Sequence, residues 1–283
     1  MKIIGMILLV ILCYIIWQYF ELKKFRVTRY DLQTEKLKGS LKFAVVADLH
    51  AHVYGRENDV LIESIRKLEP DLILIPGDQI VSKYPKTYET SYCFLKEIVK
   101  IAPVYFSNGN HESRVSRVEV LQTEAFLEYE KKVRALGVHI LNNESEVLCI
   151  RGEEIRISGL EIPLECYGKG DYLELSAEFV EQALGKADEK RVQLLMAHNP
   201  MFAPVYAKWG ADVTVSGHNH GGLVRIPGIG SVLSPQYKLF PKYDAGEFTI
   251  EGRKIYVSKG LGTHTFHIRI FDRAEVLAVY LNF

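Results

Sequence analysis

Five short apolar runs each stop at an Asp, His or Asn, and that pattern limits the fold more than any other feature of the chain. The runs are FAVVADLH, LILIPGDQ, VYFSNGNHE, LLMAHNP and VTVSGHNH, so Asp48 and His50, Asp78, Asn110 and His111, His198, and His218 and His220 stand where they end. Short runs without polar alternation read as strands buried on both faces, which helices must then cover. Helical patterns fall near residues 58–68, 87–101, 118–136 and 176–187, with a short helix after Pro200. The stretch VHILNNESEVLCIRGEEIRISGL alternates apolar with polar residues and predicts antiparallel strands turning at Asn142–Asn143 and Arg151–Gly152. The last fifty residues return to hairpin-like strands, with EFTIEGRKIYVS turning at Glu251–Gly252. The expected fold class is α/β: a two-sheet β-sandwich flanked by helices.

The first twenty residues differ from the rest. Ile3–Phe20 is an 18-residue run with no charge and only Gln18 strongly polar, about the minimum for a bilayer core of roughly 30 Å. Trp17, Tyr19 and Phe20 suit its interfacial end. A cleavable signal peptide would need a small-residue site after the run, and YIIWQYFELKKF offers none. The expected division is therefore a transmembrane anchor at 1–21, a juxtamembrane linker at 22–40 and one domain at 41–283. Lys23, Lys24, Arg26 and Arg29 outnumber Lys2 before the run, so the positive-inside rule leans toward a cytoplasmic domain.

Charge excludes one class of partner. The 35 basic and 35 acidic residues balance, which provides no field for coating nucleic acid, and no nucleic-acid partner is expected. Cysteines at 13, 93, 149 and 166 form no CxxC pair, arguing against a disulfide framework or a thiolate metal site.

The polar ends carry the chemistry. Residues two apart on a strand share a face, so Asp48 with His50, and His218 with His220, are expected to point the same way. Gly77, Gly109 and Gly217 precede Asp78, Asn110 and His218, where a missing side chain lets the backbone turn. Oxygen and nitrogen donors of this kind suit two neighbouring divalent cations such as Mn, Fe or Zn. Two such ions with two aspartates and one bridging hydroxide keep a net positive charge to receive a phosphate oxygen. A water shared by ions about 3.5 to 4 Å apart has its pKa lowered toward neutrality. No cysteine nucleophile or phosphoenzyme is then needed.

Each motif alone recurs by chance. In this order, DLH, GDQ, GNHE, AHNP and GHNH resemble the calcineurin-like binuclear metallophosphoesterase family, over about residues 41–281. The segments SPQYKLFPKY and YVSKGLG further resemble a membrane-anchored or exported bacterial branch. Its members are phosphodiesterases or relatives of enzymes acting on UDP-2,3-diacylglucosamine. The resemblance implies an αββα fold after the anchor. It also implies Asp48, His50 and His220 on a first metal, Asn110, His198 and His218 on a second, and Asp78 bridging both. His111 is expected beside the phosphate as a proton donor or a stabiliser of transition-state charge. No ligand of the family's set is missing.

The remaining polar residues have plainer readings. Glu112 is expected to cap a helix or make a supporting hydrogen bond, and His52 and His139 to lie on the surface. His264 and His267, in GLGTHTFHIRIF, depart from a proline usual in related proteins and are read as structural or rim residues. Arg269 is left open between a phosphate and a carboxylate partner. The basic cluster at 23–29 is read first as a topology signal and second as a contact for anionic lipid. The expected function is metal-dependent hydrolysis of a lipid-linked or nucleotide-linked phosphoester. A membrane-tethered metal-binding scaffold and a nuclease are the alternatives.

Overall fold

The computed structural model describes residues 2–117, 120–222, 225–263 and 268–282. The first half runs α1 (Lys2–Glu21), β1 (Phe25–Gln33), β2 (Ser40–Val45), α2 (Asp59–Leu68), β3 (Leu72–Ile75), α3 (Thr87–Ile98), β4 (Val104–Phe106), α4 (Asn110–Arg117), α5 (Val120–Ala135) and β5 (His139–Ile140). The second half continues β6 (Glu144–Ile150), β7 (Glu153–Leu160), α6 (Ala177–Leu184), β8 (Val192–Ala197), α7 (Ala203–Trp209), β9 (Val213–Ser216), β10 (Arg225–Ile226), β11 (Gly230–Ser231), β12 (Gly246–Ile250), β13 (Arg253–Val257) and β14 (Ala274–Asn282).

Two six-stranded sheets form a sandwich, in the orders β1-β14-β2-β3-β4-β5 and β12-β13-β9-β8-β7-β6. Parallel strands β2 to β5 make most of the first, and parallel β13, β9, β8 and β7 the centre of the second. The period-two geometry of a strand explains why the runs are apolar throughout. In β8, Leu194 and Met196 join Phe43, Leu74 and Leu277 in the core between the sheets. Their neighbours Leu195 and Ala197 face outward onto Val180 of α6 and Tyr206 of α7. On the far side, Ala44 and Ile73 pack with Ile65, Phe94 and Val133 of α2, α3 and α5. The layers are helix, sheet, sheet, helix, as expected. The loops at the C-terminal ends of β2, β3, β4, β8 and β9 carry the polar residues, where open α/β sheets place ligands.

Four local expectations need correction. Residues 22–40 are not free linker, because Phe25–Gln33 forms β1 and pairs in parallel with β14. Asn142–Asn143 is not a hairpin turn, since β5 and β6 lie in different sheets. There Asn142 Oδ1 accepts from Asn108 N and Asn143 Oδ1 from Glu161 N, which pins the crossing. The GNHE segment opens a helix of its own, α4, ahead of α5. Finally, β14 leaves the β12–β13 hairpin and returns to the first sheet, antiparallel to β2. His264 and His267 lie outside the described residues.

Helix α1 is long and apolar enough to cross a membrane. Most of its length is exposed, but its last turns are docked: Gln18 and Glu21 are buried. The Gln18 amide exchanges both hydrogen bonds with the backbone of Arg269, at 2.9 and 3.0 Å. Glu21 takes a two-bond grip from Arg273 at 2.7 and 2.9 Å.

Candidate metal centre

Five loops bring the sequence-predicted residues together. Three overlapping trios, Asp48–His50–His220, His50–Asp78–His111 and Asp48–Asp78–His198, each place one candidate ligand atom per residue within 4.8 Å of the others. Asp78 joins two of them. His218 and Asn110 complete the set, with Nδ1 and Oδ1 facing each other at 2.9 Å. His198 and His218 stack edge to face, their ring centroids 5.3 Å apart.

The convergence does not come from strand alternation. Asp48, His50, Asp78, His218 and His220 all adopt left-handed backbone, with φ of 50°, 47°, 55°, 65° and 49°. Each such residue costs about 1 kcal/mol or more and persists only where its surroundings impose it. Those surroundings are visible. The Asp48 carboxylate accepts from His218 N at 3.0 and 3.1 Å, and Asp78 Oδ1 accepts from His111 N at 2.9 Å. The glycines matter here mainly by what they lack. A Cβ on Gly109 would stand 2.3 Å from Asp78 Oδ1, and one on Gly217 would stand 2.2 Å from Asp48 Oδ2.

Glu112 sits beneath the cluster, fully buried. Its two oxygens accept from the backbone N–H groups of Asp78, Gln79, Ile80 and Gly109 at 2.9, 2.8, 3.2 and 3.0 Å. One carboxylate thus ties the loop after β3 to the start of α4. Burial pushes it up to about 8, helped by the Asp78 charge and opposed by these N–H donors.

The histidines are oriented by carbonyls. His198 Nδ1 lies 2.7 Å from Pro76 O and His50 Nδ1 lies 3.1 Å from Ile80 O. A ring that donates from Nδ1 keeps its Nε2 lone pair for the site, the arrangement metal-binding histidines use. His198 Nε2 faces Asp78 Oδ2 at 3.1 Å, and His50 Nε2 faces His220 Nε2 at 3.1 Å. The cluster attracts positive charge. Burial opposes charging His198, yet Asp78 and Asp48 hold its imidazole up to about 9. Burial would raise Asp78 too, but His198, His111 and His50 hold it well below the usual carboxylate range. Paired carboxylates and imidazole nitrogens gathered within one buried cluster fit a divalent cation.

The structure also supplies residues that sequence reasoning missed. Tyr167 is half-buried, with its ring centroid 5.0 Å from that of His218. Gly260 lies close enough to Asp48 and His220 that a Cβ would meet them at 2.8 and 3.0 Å. Arg269 takes the carboxylate partner, reaching Asp272 Oδ2 at 3.5 Å. Its buried guanidinium donates to the carbonyls of Lys259, Gly260, Gly262 and Asp272. In the sequence, YVSKGLG was marked only by its resemblance to a membrane-anchored or exported branch of the family. His139 pairs with Glu146 on the surface, and His52 reaches the carbonyl of Leu22 at 3.0 Å.

Residues 41–222 match the profile described as calcineurin-like phosphoesterase. The chain belongs to that family. It is 26% identical over 246 residues to the phosphodiesterase YaeI of Escherichia coli, a match covering 85% of this chain and 82% of the relative. A transmembrane protein with a metallophosphoesterase domain from Bos taurus is 26% identical over 255 residues, covering 86% of this chain and 53% of that one. An uncharacterized metallophosphoesterase of Campylobacter jejuni is 25% identical over 267 residues, and the match spans 92% of this chain but only 64% of the relative's length. Among solved structures, the sulfate thiohydrolase SoxB of Thermus thermophilus superposes with a TM-score of 0.51 at 11% identity, covering 80% of this chain and 53% of that one. This likeness shows a shared fold. The named relatives support a hydrolase of the calcineurin-like phosphoesterase class.

Proposed function

We propose that this calcineurin-like phosphoesterase is a membrane-anchored phosphodiesterase using two divalent cations. The observation that carries the reading is the convergence of Asp48, His50, Asp78, Asn110, His198, His218 and His220 from five loops onto one buried cluster. Asp48, His50 and His220 would hold one ion, Asn110, His198 and His218 the other, and Asp78 both. Two ions there would supply positive charge for a phosphate oxygen and lower the pKa of a shared water.

The chain's own residues set the rest. Asp48 and Asp78 are held rigidly by backbone N–H groups, so little reorganisation accompanies substrate binding. His111 Nδ1 accepts from Ser82 N at 2.9 Å, which leaves Nε2–H as a donor toward the substrate. Of the two roles expected for His111, this supports stabilising transition-state charge by a hydrogen bond. Mn, Fe and Zn all accept these ligands.

The membrane reading is supported by α1 and by the Bos taurus relative. A lipid-linked or nucleotide-linked phosphoester suits a site held beside a bilayer. UDP-2,3-diacylglucosamine is one substrate for that screen, by resemblance alone. The test is hydrolysis of bis-p-nitrophenyl phosphate against p-nitrophenyl phosphate by the full chain in detergent, with and without Mn²⁺. Metal-dependent diester cleavage is expected. Two bound metals with no turnover of either compound would favour the scaffold reading.

A further inference from the structure

The site opens on one side. The side chain of His220 is 14% exposed, while those of Asp48, His50, Asp78 and His198 are between 0% and 3%. The chain that leaves His220 stays beside the site: Asn199, next to His198, bonds Gln236, and Asn219, between His218 and His220, bonds the Tyr243 carbonyl. Its exposed side chains are large and apolar: Ile229 at 66%, Tyr237 at 58%, Leu239 at 70% and Phe240 at 61%. A second loop adds Phe271 at 66% and Ile268 at 42%. A chain of contacts joins the two loops, because Gly221 lies against the Asp272 carboxylate and Arg225 reaches the Gly221 carbonyl.

Three observations say what covers this rim. First, it is continuous with the anchor. Gln18 of α1 bonds the backbone of Arg269, which stands between Ile268 and Phe271. The end of the apolar helix and the second rim loop therefore emerge side by side. Second, the lysines among the apolar tips are basic without a paired acid beside them: residues 221–243 contain Lys238 and Lys242 and no Asp or Glu, whereas Arg225 pairs with Asp244 and the buried Lys259 and Arg269 pair with Asp272. Third, three exposed aromatics are held out at a backbone cost. Tyr237, Phe240 and Phe271 have φ of 62°, 48° and 54°, a region where bulky residues are outliers. The turns are held by backbone hydrogen bonds from Tyr237 N to Ser234 O at 2.9 Å and from Phe240 N to Val232 O at 3.0 Å, so the outward direction of these rings is built into the loop. Aromatic and aliphatic tips with flanking lysines are what the boundary between headgroups and acyl chains stabilises.

We propose that this rim is a second membrane contact. Ile229, Tyr237, Leu239 and Phe240, with Ile268 and Phe271 beside the anchor, enter the interface of an anionic bilayer and seat the opening of the metal site on it. The inference rests on the membrane-anchored reading of α1. It extends that reading by fixing the face that meets the lipid. A substrate would then reach the metals from the bilayer surface.

The experiment uses the full chain in nanodiscs of phosphatidylcholine and phosphatidylglycerol, with and without acyl chains brominated near the headgroup. The chain's two tryptophans are Trp17 in α1 and Trp209, which is buried at the C-terminal end of α7. Quenching of Trp17 in the parent reports insertion of the anchor. Trp17→Phe supplies the background of Trp209, and Trp17→Phe with Phe240→Trp reports the rim. Unchanged bis-p-nitrophenyl phosphate turnover in the rim variant shows that its fold is kept. The proposal expects the introduced indole to be blue-shifted and quenched by brominated lipid beyond the Trp209 background. Quenched Trp17 with an unquenched, water-exposed indole at 240 would overturn the rim contact and leave the anchor standing. An unquenched Trp17 would overturn both.

Discussion

The backbone N–H of Ser82 donates to Nδ1 of His111 at 2.9 Å, and this contact sets the ring's proton on Nε2. A carboxylate partner is the usual way to fix a histidine tautomer, but here a peptide group in the loop after Asp78 does it. Protonating Nδ1 would forfeit that bond. His111 therefore serves best as a neutral donor.

Replacing His111 with Ala should lower turnover by about 10²- to 10³-fold, the cost of removing one preorganised donor to a developing negative charge. Metal content should stay near that of the parent. His111→Gln, whose amide can donate from nearly the same place as Nε2–H, should recover part of the loss. Steady-state kinetics with metal analysis reads both. Loss of both metals in the Ala variant would make His111 a ligand.

Asp78 is asked to do more than any other side chain. Oδ1 takes the His111 N–H, and Oδ2 faces His198 at 3.1 Å and His50 at 3.8 Å. Asp78→Asn keeps the shape and removes the charge. Turnover should fall by more than the roughly 10- to 100-fold that loss of an outer partner costs, with both metals weakened. The surface variant His139→Ala is the control. Full activity in Asp78→Asn would end the bridging assignment.

Most of the candidate cluster was legible because buried strands advertise themselves: uninterrupted apolar runs end where the backbone leaves the sheet, and the candidate ligands stand there. Glu112 was legible as a supporting residue, but its partners were not. Glu112 acts on four backbone N–H groups, and no side-chain pattern encodes a backbone partner. Helix α4, NHESRVSR, offers Val115 as its one aliphatic residue, too little for a helical period. Strand β1 is a charged edge strand with alternating exposure, and its partner β14 lies at the other end of the chain. The DxH pair was read through strand alternation, whereas left-handed backbone brings Asp48 and His50 together.

Glu112→Ala should be costly to stability while touching no substrate. It leaves the N–H groups of Asp78, Gln79, Ile80 and Gly109 without their acceptor. Each unsatisfied buried group costs about 1–3 kcal/mol, and the four are not additive. A loss of several kcal/mol, read as a large fall in Tm, is the expected outcome. A Tm within a degree of the parent would mean that water replaces the carboxylate freely.

Arg269 positions one side of the centre from a distance. Its guanidinium holds the carbonyls of Gly260 and Gly262. In turn, the N–H groups of Leu261 and Gly262 bond Ala47 O and Asp48 O at 3.1 and 2.6 Å. Lysine cannot span the same carbonyls with one ammonium. Arg269→Lys should weaken metal binding by about 10- to 100-fold, at the site of Asp48, His50 and His220 before that of Asn110, His198 and His218. A metal titration resolving two affinities checks this, and equal weakening of both would show general loosening.

Asp272 gives the chain a pH dependence with a definite sign. Burial pushes its carboxyl from 3.8 up to about 7, with Arg269 and Lys259 opposing. Because the folded value exceeds the unfolded one, the group's contribution is fully present below about 4 and is lost as pH rises through about 7. Asp272→Asn removes the titration and keeps the shape. The Tm of the parent relative to this variant should therefore fall between about pH 4 and 7 and level off above, and groups common to both chains cancel in the difference. Parallel melting curves across that range would show that Arg269 and Lys259 already compensate the charge in full.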